Sequence, residues 1–205
     1  LLWNSNCEKG SEREYVRLLA GRRVEGIIIA PISRADEPFG EGAAAALPAV
    51  YVASAPRDTA RSFVVIDNVR GALLATRRLL DAGRGPVAFI GSIESADDER
   101  FAGYRLALEE RGVPCEQRFV RLGDMRQESG HRLFLRLVED GDRPRSVFAE
   151  NDLMALGCLQ AARECGLRVP EDVAIVGFDD IPFSSFPEVQ LTTIRQPTYD
   201  MGRMA

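Results

Sequence analysis

His131 is the only histidine in the chain, and that limits the chemistry available. Any Ser–His–Asp triad, and any metal site that needs an imidazole, would have to use it. It falls inside a helical pattern, next to Arg132 and two residues after Ser129, where a helix-surface histidine is the simpler reading. No GxGxxG follows an apolar run, no GxxxxGK[ST] occurs, and no GxSxG elbow is present. Cys7, Cys115, Cys158 and Cys165 lack CxxC spacing. Cys158 and Cys165, seven apart in a helical pattern, read as buried free thiols. Paired acids are the remaining candidates for hydrolysis or magnesium binding. Asp97-Asp98-Glu99 is the densest group, but it adjoins Arg100 and reads as solvated. Asp179-Asp180 is sharper, because the apolar run Val173–Val176 delivers it through Gly177-Phe178. Nothing supplies the lysine or phosphate loop of a phosphotransferase, so no catalytic residue, metal site or cofactor is expected.

Three polar residues stand at the exits of predicted strands: Arg100, Asn151 and Asp179. Arg100 offers several fixed donors, Asn151 a donor and an acceptor, and Asp179 two strong acceptors. Such a set can clasp a neutral polyhydroxyl compound, or a heterocycle with mixed edges, without transforming it. Each also has a plain structural reading. Arg100 could be a surface ion pair, Asn151 a helix N-cap and Asp179 a turn former.

The elements that must position these groups alternate along the chain. Short apolar runs predict strands at Leu1–Asn6, Val24–Ala30, Ala49–Ala53, Phe63–Ile66, Val87–Ile90, Phe119–Leu122, Ser146–Ala149, Val173–Phe178 and Thr192–Ile194. Helical spacing predicts helices from the Ser11 capping box to Gly21 and from Val69 to Ala82 behind Asp67 or Asn68. Others follow around Phe101, Tyr104 and Leu108, from Glu128 to Glu139, and from Glu150-Asn151-Asp152 through Ala162. The alanine run at 43–47 suggests a helical turn, and Tyr199–Ala205 the start of one more helix. Strand–helix alternation of this period predicts a parallel α/β sheet covered by helices on both faces.

Composition sets the outer bounds. The 205 residues are 45% hydrophobic and 28% charged, which is ordinary for a globular domain. The net charge of −5 lacks the basic balance of a nucleic-acid surface. No apolar run is long enough to span a membrane and no leader-like segment opens the chain, so a cytoplasmic location without membrane association is expected.

Six segments carry a resemblance to a known family. They are VEGIIIAP (Val24–Pro31), IDNVRG (Ile66–Gly71), RFAGYRLAL (Arg100–Leu108), AENDLMALG (Ala149–Gly157), GLRVPEDVAIVGFDDIPFSSFP (Gly166–Pro187) and LTTIRQPTYDMG (Leu191–Gly202). In this order they resemble the effector-binding core of the LacI/GalR transcriptional regulators over essentially the whole chain. The resemblance implies a periplasmic-binding-protein type I-like α/β fold: two Rossmann-like three-layer subdomains with parallel sheets and an interdomain ligand cleft. It places residues 1–66 in the N-terminal subdomain and 67–195 in the C-terminal one, with 196–205 returning to the first. The chain would thus cross between them three times.

The resemblance also implies a small-molecule effector, a sugar or sugar derivative, and a homodimer. Operator DNA would be bound only through an N-terminal helix-turn-helix that is not in these residues. The first strand and helix of the core and a C-terminal stretch after Ala205 would likewise lie outside them. Arg100 matches the family arginine that hydrogen-bonds the effector, Asn151 a polar residue that reaches it, and Asp179 the aspartate that accepts its hydroxyl or ring N–H groups. Met125 stands where several sugar-binding members place a stacking aromatic, and Ala53 where some have an aspartate; both departures argue against a galactoside-type ligand. Asp180 is expected to secure the turn toward Pro182. The alternatives are a periplasmic or extracellular sugar-binding protein of the same fold and, third, an enzyme using Asp179 and Asp180.

Overall fold

The computed structural model describes residues 2, 11–22, 24–31, 46–56, 58, 60–92 and 99–205. The strand expected at Leu1–Asn6, the acids Asp97 and Asp98, Cys7 and most of the alanine run at 43–47 lie outside the described residues. The chain divides into two compact units, one of Leu1–Ile66 with Pro197–Ala205 and one of Asp67–Gln196. Each has its own parallel sheet, so the one sheet suggested by strand–helix alternation is replaced by two. Alternation specifies the connections but not which strands pair, and the pairing partners are what separate the units.

The first unit contains α1 (Ser11–Gly21), β1 (Ile27–Ile29), β2 (Ala49–Val52) and β3 (Ser62–Val64), with α6 (Thr198–Met204) from the chain end. Its three strands lie in the order β1-β2-β3, and register pairs Ile27 with Ala49 and Tyr51 with Phe63. Val16 of α1 and Tyr51 are its buried centre, with Ala20, Ile27, Ile29 and Ala49 packed around them.

The second unit is built from α2 (Asn68–Asp81), β4 (Val87–Ser92), α3 (Glu99–Glu110), β5 (Val120–Gly123), α4 (Gln127–Glu139), β6 (Ser146–Ala149), α5 (Asp152–Glu164), β7 (Ala174–Asp179) and β8 (Thr192–Arg195). All five strands are parallel, in the order β5-β4-β6-β7-β8. Successive side chains of a strand point to opposite faces, and here both faces are apolar. Ala88, Ile90, Val147, Ala149 and Ile175 join the core that also holds Leu133, Phe134 and Leu137 of α4 and Met154 and Cys158 of α5. The alternate residues Phe89 and Phe148 form an aromatic cluster with Phe101 and Tyr104 of α3, at ring separations of 5.0–5.7 Å from Phe89. Phe178 reaches Gly71 of α2 on this face. Fully burying a phenylalanine stabilises by about 1.5–3 kcal/mol, so these rings anchor α2 and α3 as firmly as the aliphatic core anchors α4 and α5.

Local signals start and stop the helices. The Asp67 carboxylate accepts from the Arg70 N–H at 2.8 Å and caps α2, satisfying one of the donors a helix start leaves open. Helices α4 and α5 approach closely because Gly130 and Gly157 face the contact. A Cβ on Gly157 would lie 2.1 Å from the Gln127 carbonyl, and one on Gly130 would lie 2.2 Å from that of Met154.

Cys158 is buried at this contact, but Cys165 is exposed, which corrects the reading of both as buried thiols. The seven-residue period holds only within a helix, and α5 ends at Glu164, leaving Cys165 as its cap. His131 lies on α4 with Nε2 2.7 Å from Glu164 Oε2 of α5, as a helix-surface pair.

Candidate functional site

The strand order of the second unit reverses at β4, which has β5 on one side and β6 on the other. In open parallel sheets such a switch point opens a crevice at the carboxyl ends of the strands, because the two flanking connections leave toward opposite faces. The groups at these ends are Ser92 from β4, Glu150 and Asn151 after β6, and Asp179 closing β7.

Arg100, in the first turn of α3, crosses this edge. Its Nε donates to Asn68 Oδ1 at 2.9 Å and its Nη1 donates to the Glu150 carbonyl at 2.7 Å. Nη1 also stands 3.2 Å from Asp179 Oδ1. The guanidinium lies over the Phe178 ring, 3.8 Å from its centroid. A planar cation held in its plane by three polar partners and from one face by a ring has little freedom left, so Arg100 is a fixed donor array.

Asp179 takes Arg100 and the Gln196 amide, whose Nε2 donates from 2.5 Å, on the same oxygen, Oδ1. Oδ2 takes no bond among the described residues. A carboxylate has about four acceptor sites, so this arrangement leaves acceptor capacity directed away from its anchors. Burial raises the Asp179 pKa above the ordinary aspartate value, and Arg100 and Gln196 offset only part of the rise.

Asn151 combines the two roles that its type allows. Its Oδ1 accepts from the Met154 N–H at 2.8 Å, capping α5, and its Nδ2 donates to the Met125 carbonyl at 3.0 Å. The N-cap reading therefore holds, and one Nδ2 hydrogen remains for another acceptor. Met125, just beyond β5, is half-buried and is held by this bond. Thus Arg100 touches Asp179 directly, and Asn151 touches Met125. Ala53 lies in the other unit, exposed just past β2, with its N–H bonded to the Val64 carbonyl at 2.9 Å.

Backbone conformation adds an independent mark. Ala53, Met125 and Asp179 all have positive φ, at 69°, 64° and 116°. Side-chain-bearing residues avoid this region at a cost of order 1–3 kcal/mol each, and such strain clusters at ligand clamps and switch regions. All three sit at or just beyond a strand's carboxyl end.

Asp180 behaves differently from its neighbour. Its Oδ1 accepts from Ser184 Oγ at 3.1 Å and its Oδ2 from Arg195 Nε at 2.5 Å, so it secures the turn through Pro182. Arg195 holds its pKa below the ordinary value.

Two buried acids went unremarked as site-formers from sequence. Asp152 accepts from Thr193 Oγ1 at 2.6 Å and from the Ile181 N–H at 2.9 Å, bracing the turn after Asp180 against β8. Burial raises its pKa. Position 177 must be glycine for this, since a Cβ there would stand 2.2 Å from Asp152 Oδ1. Glu150 is fully buried and accepts from the Ser92 N–H, linking the ends of β4 and β6. The available signal was three polar residues, Glu150-Asn151-Asp152, directly after a fully buried strand.

Comparison with known proteins agrees with this geometry. Residues 76–205 match the family model of the periplasmic binding protein-like domain. The chain is 32% identical to catabolite control protein A of Priestia megaterium over 208 residues, covering 100% of this chain and 63% of that protein. It is 37% identical to the HTH-type transcriptional regulator CelR of Thermobifida fusca over 199 residues, covering 93% of this chain and 58% of that one. A solved complex of the transcriptional regulator CelR with cellobiose superposes with a TM-score of 0.85 at 34% identity, covering 96% of this chain and 62% of that structure's chain. The chain thus spans less than two thirds of the curated relatives that it matches.

Proposed function

The chain belongs to the periplasmic binding protein-like family, as the effector-binding core of a LacI/GalR-type regulator, and from that premise we propose that it senses a neutral sugar or sugar derivative. The effector binds at the carboxyl ends of the five-stranded sheet and controls operator binding by the full-length protein. The full-length protein works in the cytoplasm as a homodimer and contacts DNA through a helix-turn-helix region outside these 205 residues.

The observation that carries this reading is the Arg100–Asp179 pair, whose shared oxygen is spent while Asp179 Oδ2 takes no bond among the described residues. Fixed guanidinium donors beside an available carboxylate acceptor match the alternating donor and acceptor character of sugar hydroxyls. The ends of β6, β7 and β8 also bring Glu150, Asp152, Asp179 and Asp180 against only Arg100 and Arg195. That excess of acids disfavours a phosphorylated effector, because a phosphate needs surplus cations or bare N–H groups. The cellobiose held by a 34% identical relative makes that disaccharide the first probe. Linkage requires the effector to bind one conformational state of the full protein better than another. The site binds without turnover: its acids lack the paired nucleophile, base or metal set that hydrolysis needs, and the named relatives are regulators.

Asp179→Ala tests the site. Loss of one buried acceptor should weaken cellobiose binding by roughly 1–3 kcal/mol, about 5- to 150-fold, in titration calorimetry. Unchanged affinity in a folded variant would remove Asp179 from the site.

A further inference from the structure

Arg195 and Gln196 are the last two residues of the five-stranded unit, and Pro197 is assigned to the other. They meet the two consecutive acids at the end of β7. Register pairs Asp179 with Arg195, and the Gln196 N–H reaches the Asp179 carbonyl at 3.4 Å. Pro197 has no N–H to donate, so this is the last rung the β7–β8 ladder can have. The side chains repeat the pairing, with Gln196 Nε2 donating to Asp179 Oδ1 and Arg195 Nε to Asp180 Oδ2.

The two contacts are unequal. The Arg195 side chain is 82% exposed, and an ion pair so open to water contributes little. Gln196 is half-buried and its bond to Asp179 is shielded, so it carries more of the constraint. Together with Arg100 it fixes the plane of the Asp179 carboxylate, and that plane decides where Oδ2 points.

We propose that Gln196 is a positioning residue that aims Asp179 at the effector and, through the same bond, couples the effector site to the segment where the chain leaves the five-stranded unit. This rests on the binding role of Asp179 given above. Coupling of this kind is reciprocal. An effector that immobilises the carboxylate also immobilises Gln196, and a loosened Gln196 weakens the effector.

Gln196→Met, which keeps the side-chain length and removes the donor, tests this in two arms on the 205-residue chain. The first uses no sugar. Carbon-13 NMR of the side-chain carboxyl groups should show Asp179 holding its proton to higher pH in the variant, since a donor to its ionised form is lost. Amide hydrogen exchange at residues 195–200 should speed up while the β4 and β6 amides stay unchanged. The second arm titrates cellobiose by calorimetry, with about 3- to 10-fold weaker binding in the variant. Gln196→Lys, which returns a donor, should recover part of that loss.

An unchanged Asp179 titration together with unchanged exchange overturns the proposal, whatever cellobiose does. Equal cellobiose affinity of wild type and variant overturns the positioning role. If the wild type ignores cellobiose while the titration and exchange move as stated, the proposal stands and the choice of sugar falls.

Discussion

Asp179 is held between two opposing influences. Burial favours its neutral form, and Arg100 with Gln196 favours the charged one, with burial prevailing. An acceptor for sugar hydroxyls works as the carboxylate. Acidification should therefore cost cellobiose affinity from a higher pH than an ordinary aspartate, near 3.9, would require. Calorimetry at stepwise lower pH should show an inflection above that value, which Asp179→Asn removes; a wild-type profile without one contradicts the assignment. The same shift acts on folding with the opposite sign. A carboxyl whose folded pKa is raised contributes stability in acid that is lost as pH rises through the folded value. Donor and acceptor types brought Arg100, Asn151 and Asp179 forward from the sequence. The depth of Glu150 and Asp152 stayed hidden, because a residue's type does not reveal that its strand end is covered. Nor could a lone asparagine disclose that most of its amide is already committed to α5 and to Met125.

The secondary structure elements were more legible than their assembly. An apolar run such as Val173–Val176 has few ways to hide other than as a strand covered on both faces, and β7 does so. Helix ends followed from Asp67 and from the glycines that close α4 and α5. Sheet membership was not legible, because β3 and β4 are separated by a helix like any other neighbouring pair and nothing local says they pair elsewhere. The α4–α5 contact is where one residue type matters most. Gly157→Ala places a methyl group against the Gln127 carbonyl and the His131 N–H, both backbone, so the helices must separate. A loss of about 1–3 kcal/mol is expected in urea unfolding of the chain. Gly202→Ala in α6, which meets nothing within 4 Å, serves as the control. It should be neutral, or stabilising by up to roughly 1 kcal/mol through helix propensity. Equal effects at the two sites would mean that the α4–α5 contact yields without cost.

Over the whole molecule, the described apolar interior is unevenly shared. The five-stranded unit buries a continuous core on both sheet faces, whereas the described centre of the other unit is Val16 and Tyr51 with four partners. The ligand-facing acids and their braces all belong to the better-packed unit, so the strain at Met125 and Asp179 is carried by the part best able to bear it. The thiols turn this unevenness into a clock. Cys115 and Cys165 are open to solvent, while Cys158 is sealed between α4 and α5 with Sγ donating to the Gly130 carbonyl. Its burial pushes the thiol pKa far up, so little nucleophilic thiolate forms even if reagent reaches it. A disulfide reagent followed by mass spectrometry should modify Cys115 and Cys165 within the mixing phase. Cys158 should follow only at the rate at which the two helices part, and a sugar that tightens this unit should slow that phase alone. One sulfur atom thus makes ligand occupancy readable as elapsed time, without a label and without DNA.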